Sequence, residues 1–351
     1  MSSRSTALLK AGLNTLYYTR GHKLLQPFTR GVGTIFTLHH VTPEPHREFE
    51  PNRILRITPE FLEETIVAVK EAGHDIVSLD EAHWRLTEGA FERPFACFTF
   101  DDGYRDNLVH AYPVFRRHSL PFTIYVPSAY ADGAADLWWL GLERLIAEVD
   151  DIRLKIDGEL RQLHSSTPQE KSRTFHEIYW WLRSIDENEA RATVKELCRS
   201  IGLDTSQMSR DLVMTWDEVR RLAGDPLVTI GAHTRGHYAL AKLSEAEARF
   251  EILEGTRRIE QELGVRPRHM SYPYGSESSA GAREFRLARE AGFKTAVTTR
   301  KGLVYAEHSD HLTALPRVSL NGDYQSRRYL DVFLSGAPFL LWNGLKRVDA
   351  A

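Results

Sequence analysis

Short apolar runs alternate with longer amphipathic ones along most of the chain. Residues 33–40 (GTIFTLHH), 94–100 (PFACFTF), 121–126 (PFTIYV) and 227–233 (LVTIGAH) each read as a strand. They are short, rich in β-branched and aromatic residues, and bounded by turn formers. Residues 58–73 (TPEFLEETIVAVKEAG) predict a helix, with Thr58 as N-cap, Pro59 in the first turn and Gly73 as the stop. Residues 106–119 are helical, with Pro113 placed to kink them. Residues 244–264 form a helix opened by a capping box of Ser244 and Glu247 and closed by Gly264. Then come a short strand within 268–275, a helix over 282–292, a strand over 293–299 and a last strand near 311–320. Strand-then-helix repetition implies parallel strands joined by helical crossovers. Seven or so such units suit an α/β barrel or a doubly wound sheet, and in both the chemistry collects at the C-terminal ends of the strands.

One stretch breaks this alternation. From about 131 to 213 the pattern predicts helices and no strand, as if an insertion or lid had been placed between two units. It carries Trp138, Trp139, Trp180 and Trp181, four of the seven tryptophans. At the other end, Arg4, Lys10, Arg20, Lys23 and Arg30 precede the first acid, Glu44, and are interleaved with leucines and tyrosines. Residues 1–30 are thus a basic amphipathic arm. Such an arm either packs on its own domain or lies on an anionic membrane surface. Gly12 and Gly21 interrupt its pattern. The remaining residues, 31–351, read as one domain containing the insertion.

Composition narrows the function classes. With 351 residues, a net charge of −3 and 26% charged residues, the chain reads as globular, with no basic field for nucleic acid. No apolar run is long enough to span a bilayer, and Lys10 interrupts the N-terminal apolar stretch, so a secretory signal is not expected. The two cysteines, Cys97 and Cys198, have no metal or redox spacing, and Cys97 reads as a buried inert thiol. These features point to the cytoplasm.

The candidate chemistry begins at the end of the second strand, where Asp101 and Asp102 stand side by side in FTFDDG. Neighbouring side chains at an extended strand end point to opposite sides, so one acid can face a cation while the other faces water or substrate. A divalent ion would also neutralise the local charge. His233 and His237, in GAHTRGH after another strand, are four residues apart and can grip one ion, or they are a surface pair at a helix start. A chain with 15 histidines yields such spacing by chance, so position after a strand carries the greater weight. Two histidines and a carboxylate would leave open positions for water, as a hydrolytic site requires.

TFDDG (99–103), HTRGH (233–237) and YPYG (272–275) together resemble the motifs of polysaccharide deacetylases, the chitooligosaccharide-deacetylase homology family. The resemblance covers residues 33–320 apart from the insertion. Members from exopolysaccharide gene clusters are similar also in LHHV, WW, PYG and LPR. It implies a distorted (β/α)7-type barrel with a helical insertion, and removal of acetyl groups, expected to be N-acetyl, from a carbohydrate. It implies Asp101 as catalytic base and Asp102, His233 and His237 as ligands of a divalent metal, usually zinc, with cobalt, nickel or iron also suited to the set. The backbone N–H of Tyr274 would hold the oxyanion, aimed by Pro273 and permitted by Gly275.

Two departures from that family pattern stand out. The arginine expected ahead of Pro-Tyr-Gly is Ser271, and Arg317 in LPRVSL is the candidate replacement. The C-terminal leucine-x-histidine that supplies the general acid is absent after residue 311, and His39 at the end of the first strand is the candidate substitute, leaving His40 structural. Trp138 and Trp139, close after a strand end, are candidates to stack on sugar. The competing readings are a catalytically weak carbohydrate-binding protein and a metal-independent small-amide hydrolase of the same fold. Expected partners are an acetylated carbohydrate, no nucleic acid, and a membrane surface met through the arm. The pattern leaves the sugar and the oligomeric state open.

Overall fold

The computed structural model describes the backbone of residues 3–350 and the side chains of residues 6–350, so the side chain of Arg4, counted in the basic arm, lies outside it. Seven parallel strands form a closed barrel: β1 (Gly33–Leu38), β2 (Phe95–Phe100), β3 (Phe122–Val126), β4 (Val228–Ala232), β5 (His269–Ser271), β6 (Thr295–Lys301) and β7 (Leu315–Ser319). Each pairs with its successor, and β1 pairs with both β2 (Gly33↔Phe95 to Leu38↔Phe100) and β7 (Phe36↔Val318), which closes the ring. Every residue of β1, β2 and β3 is buried, as parallel strands covered on both faces require. A two-residue strand, Asp75–Ile76, pairs with the start of β2 outside the ring.

The punctuation of the sequence sets the connecting helices. Thr58 accepts the Phe61 N–H at 3.1 Å and caps the helix Pro59–Glu71, with Gly73 following at φ 80°. The segment after β2 is less regular than its pattern implies. Asn107–Ala111 winds as a wide π turn before the regular helix Tyr112–His118, because Pro113 has no N–H to give to a normal turn.

The arm consists of two helices, α1 (Ser3–Tyr18) and α2 (Gly21–Thr29). Gly12 lies within α1 without breaking it, while Gly21 opens α2. The insertion lies between β3 and β4. It contains α3 (Trp138–Glu148), α4 (Pro168–Ser184) and α5 (Glu187–Ser200), packed around Trp138, Leu142, Ile152, Phe175, Ile178 and Val194. It is not all helical. Asp151–Ile156 and Glu159–His164 pair as an antiparallel hairpin, which corrects the expectation of helices alone. The signal was present: Asp-Ile-Arg-Leu-Lys-Ile alternates between exposed and buried, and Asp157–Gly158 at φ 50° and 88° makes the tight turn. After β4 comes α6 (Glu245–Leu263), with the Ser244–Glu247 capping box and Gly264 at φ 70°. Near the C-terminus, α1 packs on the helix Arg327–Leu334, and α2 packs on α7 (Ala337–Trp342).

Candidate metal centre and catalytic rim

Asp101 and Asp102 directly follow β2, almost fully buried, and different partners hold them. The Asp101 backbone N–H donates to Leu38 O at 3.0 Å. Its carboxylate takes both arms of Arg317, with Nη1 to Oδ1 at 2.8 Å and Nη2 to Oδ2 at 2.6 Å. Arg317 also donates to Thr99 Oγ1, to Thr298 O and to Ser271 Oγ at 3.0 Å, so its buried fork is fully used. Burial pushes the Asp101 carboxyl up, but the Arg317 guanidinium outweighs it and holds the group below the usual range. The acid is therefore an ionised acceptor at neutral pH. Arg317, which projects from β7, occupies the space beside Ser271.

Asp102 turns the other way through a left-handed backbone (φ 71°) that Gly103 continues (φ 65°). Its Oδ1 lies 3.1 Å from His237 Nε2 and 3.4 Å from His233 Nε2. The three ligand atoms fall within 4.8 Å of one another, and all three side chains are buried. Asp102 Oδ1 has no hydrogen-bond partner there. A buried carboxylate oxygen without a donor, facing two imidazole nitrogens, suits a divalent cation and would be costly without one. His233 Nδ1 lies 2.7 Å from Ser271 O; assigned as the donor, it leaves Nε2 free to ligate. Burial lowers the His237 pKa, which favours the neutral, ligating form.

Strain gathers here. Asp102, Thr234, His237 and Tyr274 hold positive φ of 71°, 62°, 59° and 60°. For a β-branched Thr234 this is costly and needs outside support. The support comes from residues that the sequence pattern did not flag. Glu251 of α6 accepts the Gly236 N–H at 2.6 Å and the Arg235 N–H at 3.2 Å. Gly255 brings α6 so close to the loop that a β-carbon there would meet Thr234 O at 2.5 Å. From the insertion, Arg191 of α5 donates to His237 O at 2.9 Å, and Glu187 accepts the Ala239 N–H at 3.0 Å. Glu187 and Arg191 are also a helical i,i+4 ion pair, a spacing legible in sequence although its target is not.

The rim above the acids includes Tyr274 and His39. Among the described residues no acceptor lies within bonding reach of the Tyr274 N–H, while its carbonyl takes the Thr299 hydroxyl at 2.6 Å. The ring is clamped: Trp138 Nε1 donates to its OH at 3.0 Å, and the Arg183 guanidinium stacks on its face at 3.8 Å. His39 Nε2 is 4.0 Å from Asp101 Oδ2. His40 turns away, bonding Asp106 at 2.7 Å and stacking on Tyr104. A cavity of about 1570 Å³ opens over the site and is lined by Asp101, Asp102, His39, His233, His237, Tyr274 and Trp139. Trp138 and Pro273 do not line it, and Trp138 sits behind Tyr274. Of the two tryptophans, Trp139 alone reaches the cavity, its ring 5.3 Å from that of His237. Cys97 and Cys198 are buried and unpaired, and burial pushes both thiols up, well away from nucleophile chemistry.

A family profile described as Polysaccharide deacetylase matches residues 88–296. No curated protein sequence matches the chain. Among solved structures, similarity extends to the Streptococcus pyogenes deacetylase PplD in complex with acetate, at 15% identity, 82% of this chain, 92% of that one and TM-score 0.54. It extends to IcaB from Ammonifex degensii at 17% identity, 87% and 97% coverage and TM-score 0.53. It also extends to a de-N-acetylase from Aggregatibacter actinomycetemcomitans at 15% identity, 83% and 96% coverage and TM-score 0.53. At these identities the likeness is one of fold.

Proposed function

The chain belongs to the polysaccharide deacetylase family, its reaction is carbohydrate deacetylation, and we propose that it depends on a divalent metal and removes acetyl from nitrogen. The observation that carries this reading is the convergence of Asp102, His233 and His237 beside a separately paired Asp101. An ion held by those three side chains would lower the pKa of water and polarise the acetyl carbonyl; zinc is the first expectation, with cobalt, nickel or iron as alternatives.

The chain's own groups then take these roles. Asp101, kept ionised by Arg317, accepts the proton of the attacking water. The unpartnered Tyr274 N–H donates to the developing oxyanion. His39, kept neutral by burial and 4.0 Å from Asp101, takes up the proton that Asp101 accepted from water and passes it to the departing amine. An amine leaves poorly without a proton, so a histidine near the base favours nitrogen over oxygen. Trp139 offers an apolar face to the sugar. The intact ligand set weighs against a metal-independent amide hydrolase.

We place the protein at the cytoplasmic face of a membrane, held peripherally by the arm. Leu24 and Phe28 of α2 are exposed next to Lys23, which supports this placement. Among the described residues no helix is long and apolar enough to cross a bilayer.

The test combines metal analysis of the purified chain with acetate release from a panel of N- and O-acetylated sugars. About one divalent ion per chain is expected, with acetate release that chelation stops and the ion restores. Acetate release that survives both His233→Ala and His237→Ala would overturn the metal assignment. Release from esters alone would overturn the nitrogen preference.

A further inference from the structure

The cavity over the acids is larger than a sugar needs. Sites for drug-sized ligands run to about 300–1,000 Å³, and this one measures about 1570 Å³. Besides the acids and α4 of the insertion, its lining reaches the packed chain ends. Its walls there are Leu8, Leu13 and Leu16 of α1 and Phe339, Leu341 and Trp342 of α7. Leu13 and Phe339 are buried beneath, while Leu8 and Leu341 stand 76% and 60% exposed along its lip. One cavity is therefore lined both by carboxylates and imidazoles and by the leucine and aromatic side chains of the chain ends.

Lys10 and Lys301 are two of the six Lys and Arg side chains that line the same cavity, the others being Arg47, Arg53, Arg183 and Lys242. Lys10 lies 5.8 Å from the centre of the Tyr324 ring, and Lys301 lies 3.5 Å from that of Trp342. Among the described residues neither has a carboxylate within 4.0 Å. An occupant that suits the whole space has a sugar head, an anionic joint and an apolar tail in one molecule. An uncharged polysaccharide would leave the leucine wall and both lysines unused.

Resting on the deacetylase reading, we propose that the α1–α7 groove holds the apolar chain of a phosphate-linked lipid saccharide, whose acetylated sugar reaches Asp101 and Asp102 while Lys10 and Lys301 meet the phosphate. The substrate class is then a lipid-anchored sugar or short oligosaccharide. The reaction class that supplies it transfers an N-acetylamino sugar onto a lipid phosphate.

Calorimetric titration of the full chain with dodecyl phosphate, below its micelle concentration, tests the groove without needing turnover. Saturable binding is expected, at least tenfold tighter than that of inorganic phosphate or of neutral dodecyl maltoside. Leu8→Ser combined with Leu341→Ser should weaken it at least tenfold, while acetate release from a soluble acetylated oligosaccharide is unchanged. Lys10→Gln combined with Lys301→Gln should remove the preference for phosphate over maltoside. Absent binding, or binding indifferent to the leucine pair, overturns the lipid groove and leaves deacetylation standing. Equal binding of phosphate and maltoside overturns the phosphate joint. Loss of soluble-substrate activity in a folded leucine double variant overturns a lipid subsite separate from the sugar site. Intact dodecyl phosphate binding with no acetate from any acetylated sugar defeats the deacetylase reading instead.

Discussion

At the scale of single residues, the two adjacent acids are separated by the direction of the chain and by the partner each meets. Asp101 is neutralised by a guanidinium, and Asp102 faces two imidazoles. The strand ending in FTFDDG and the histidine spacing made this pair legible in the sequence, because both follow buried strands directly. Arg317 was legible only by its place after a late strand, since its target is 216 residues away. Its role makes a sharp prediction. Arg317→Gln removes the charge and the fork from a buried carboxylate, and breaking such a pair costs about 3–5 kcal/mol. The variant should lose about 100-fold in kcat, consistent with disabling a general base. Adding Ser271→Arg returns a guanidinium to the space that Nη2 now reaches, 3.0 Å from Ser271 Oγ. The double variant should regain at least part of that kcat in acetate-release assays; a double variant no better than the single one would show that the base needs the β7 origin of its arginine.

At the scale of elements, the insertion does more than cover the barrel. Its helices reach the site at two places, and the contacts differ in kind. Arg183 of α4 and Trp138 of α3 hold the Tyr274 ring, hence the loop that carries the unpartnered N–H. Arg191 and Glu187 of α5 hold the backbone around His237. Trp138→Phe should therefore lower kcat while leaving KM and bound metal nearly unchanged, since ligands and cavity wall stay in place; Arg183→Gln, which also alters the cavity lining, should lower kcat with bound metal unchanged. Arg191→Gln should instead weaken metal affinity by about 10–100-fold, the usual size of an effect on residues that orient a ligand. Metal titration of the apo variants beside steady-state kinetics separates the two. None of these contacts is legible from periodicity, which identifies a helix and its buried face but not the loop that the face meets. The hairpin 151–164 is the opposite case. Its alternation and Asp-Gly turn were readable, but they were masked by flanking helical patterns and by the charged residues on its exposed face. Glycines and caps fared better: Thr58, Ser244 and Gly264 each sit where their local chemistry placed them.

At the scale of the whole molecule, the succession of parallel strands followed from strand–helix repetition, because consecutive parallel strands joined by crossovers have few arrangements open to them, while the choice of a closed barrel over a doubly wound sheet rested on the family resemblance. How the chain ends meet did not follow. The arm reaches the C-terminal segment through Thr29 Oγ1 to Ser335 O at 2.6 Å and Tyr305 OH to Thr29 O at 2.6 Å, contacts between residues some 300 positions apart. This region carries a pH dependence of its own. His308, almost fully buried beside Tyr305, accepts the Tyr305 N–H on Nδ1 at 3.0 Å, a bond that only an unprotonated Nδ1 can make. Burial lowers its pKa to about 4, and His74, on the strand-start side of the barrel, is likewise lowered to about 4 by burial. Both are depressed from an ordinary value near 6.5. The neutral forms are thus favoured by folding, and their contribution is complete above about pH 6.5. It is lost as pH falls toward 4, because the unfolded chain takes up protons first. A shift of this size corresponds to roughly 3 kcal/mol for each histidine between those limits. Urea unfolding should therefore show a fall in stability from pH 7 to pH 4.5, before most carboxylates protonate. In His308→Gln, whose side-chain oxygen can still accept the Tyr305 N–H, that fall should shrink, with little change at pH 7. An unchanged slope in this variant would mean that His308 is already protonated in the fold, and that the Tyr305 turn is held without its ring.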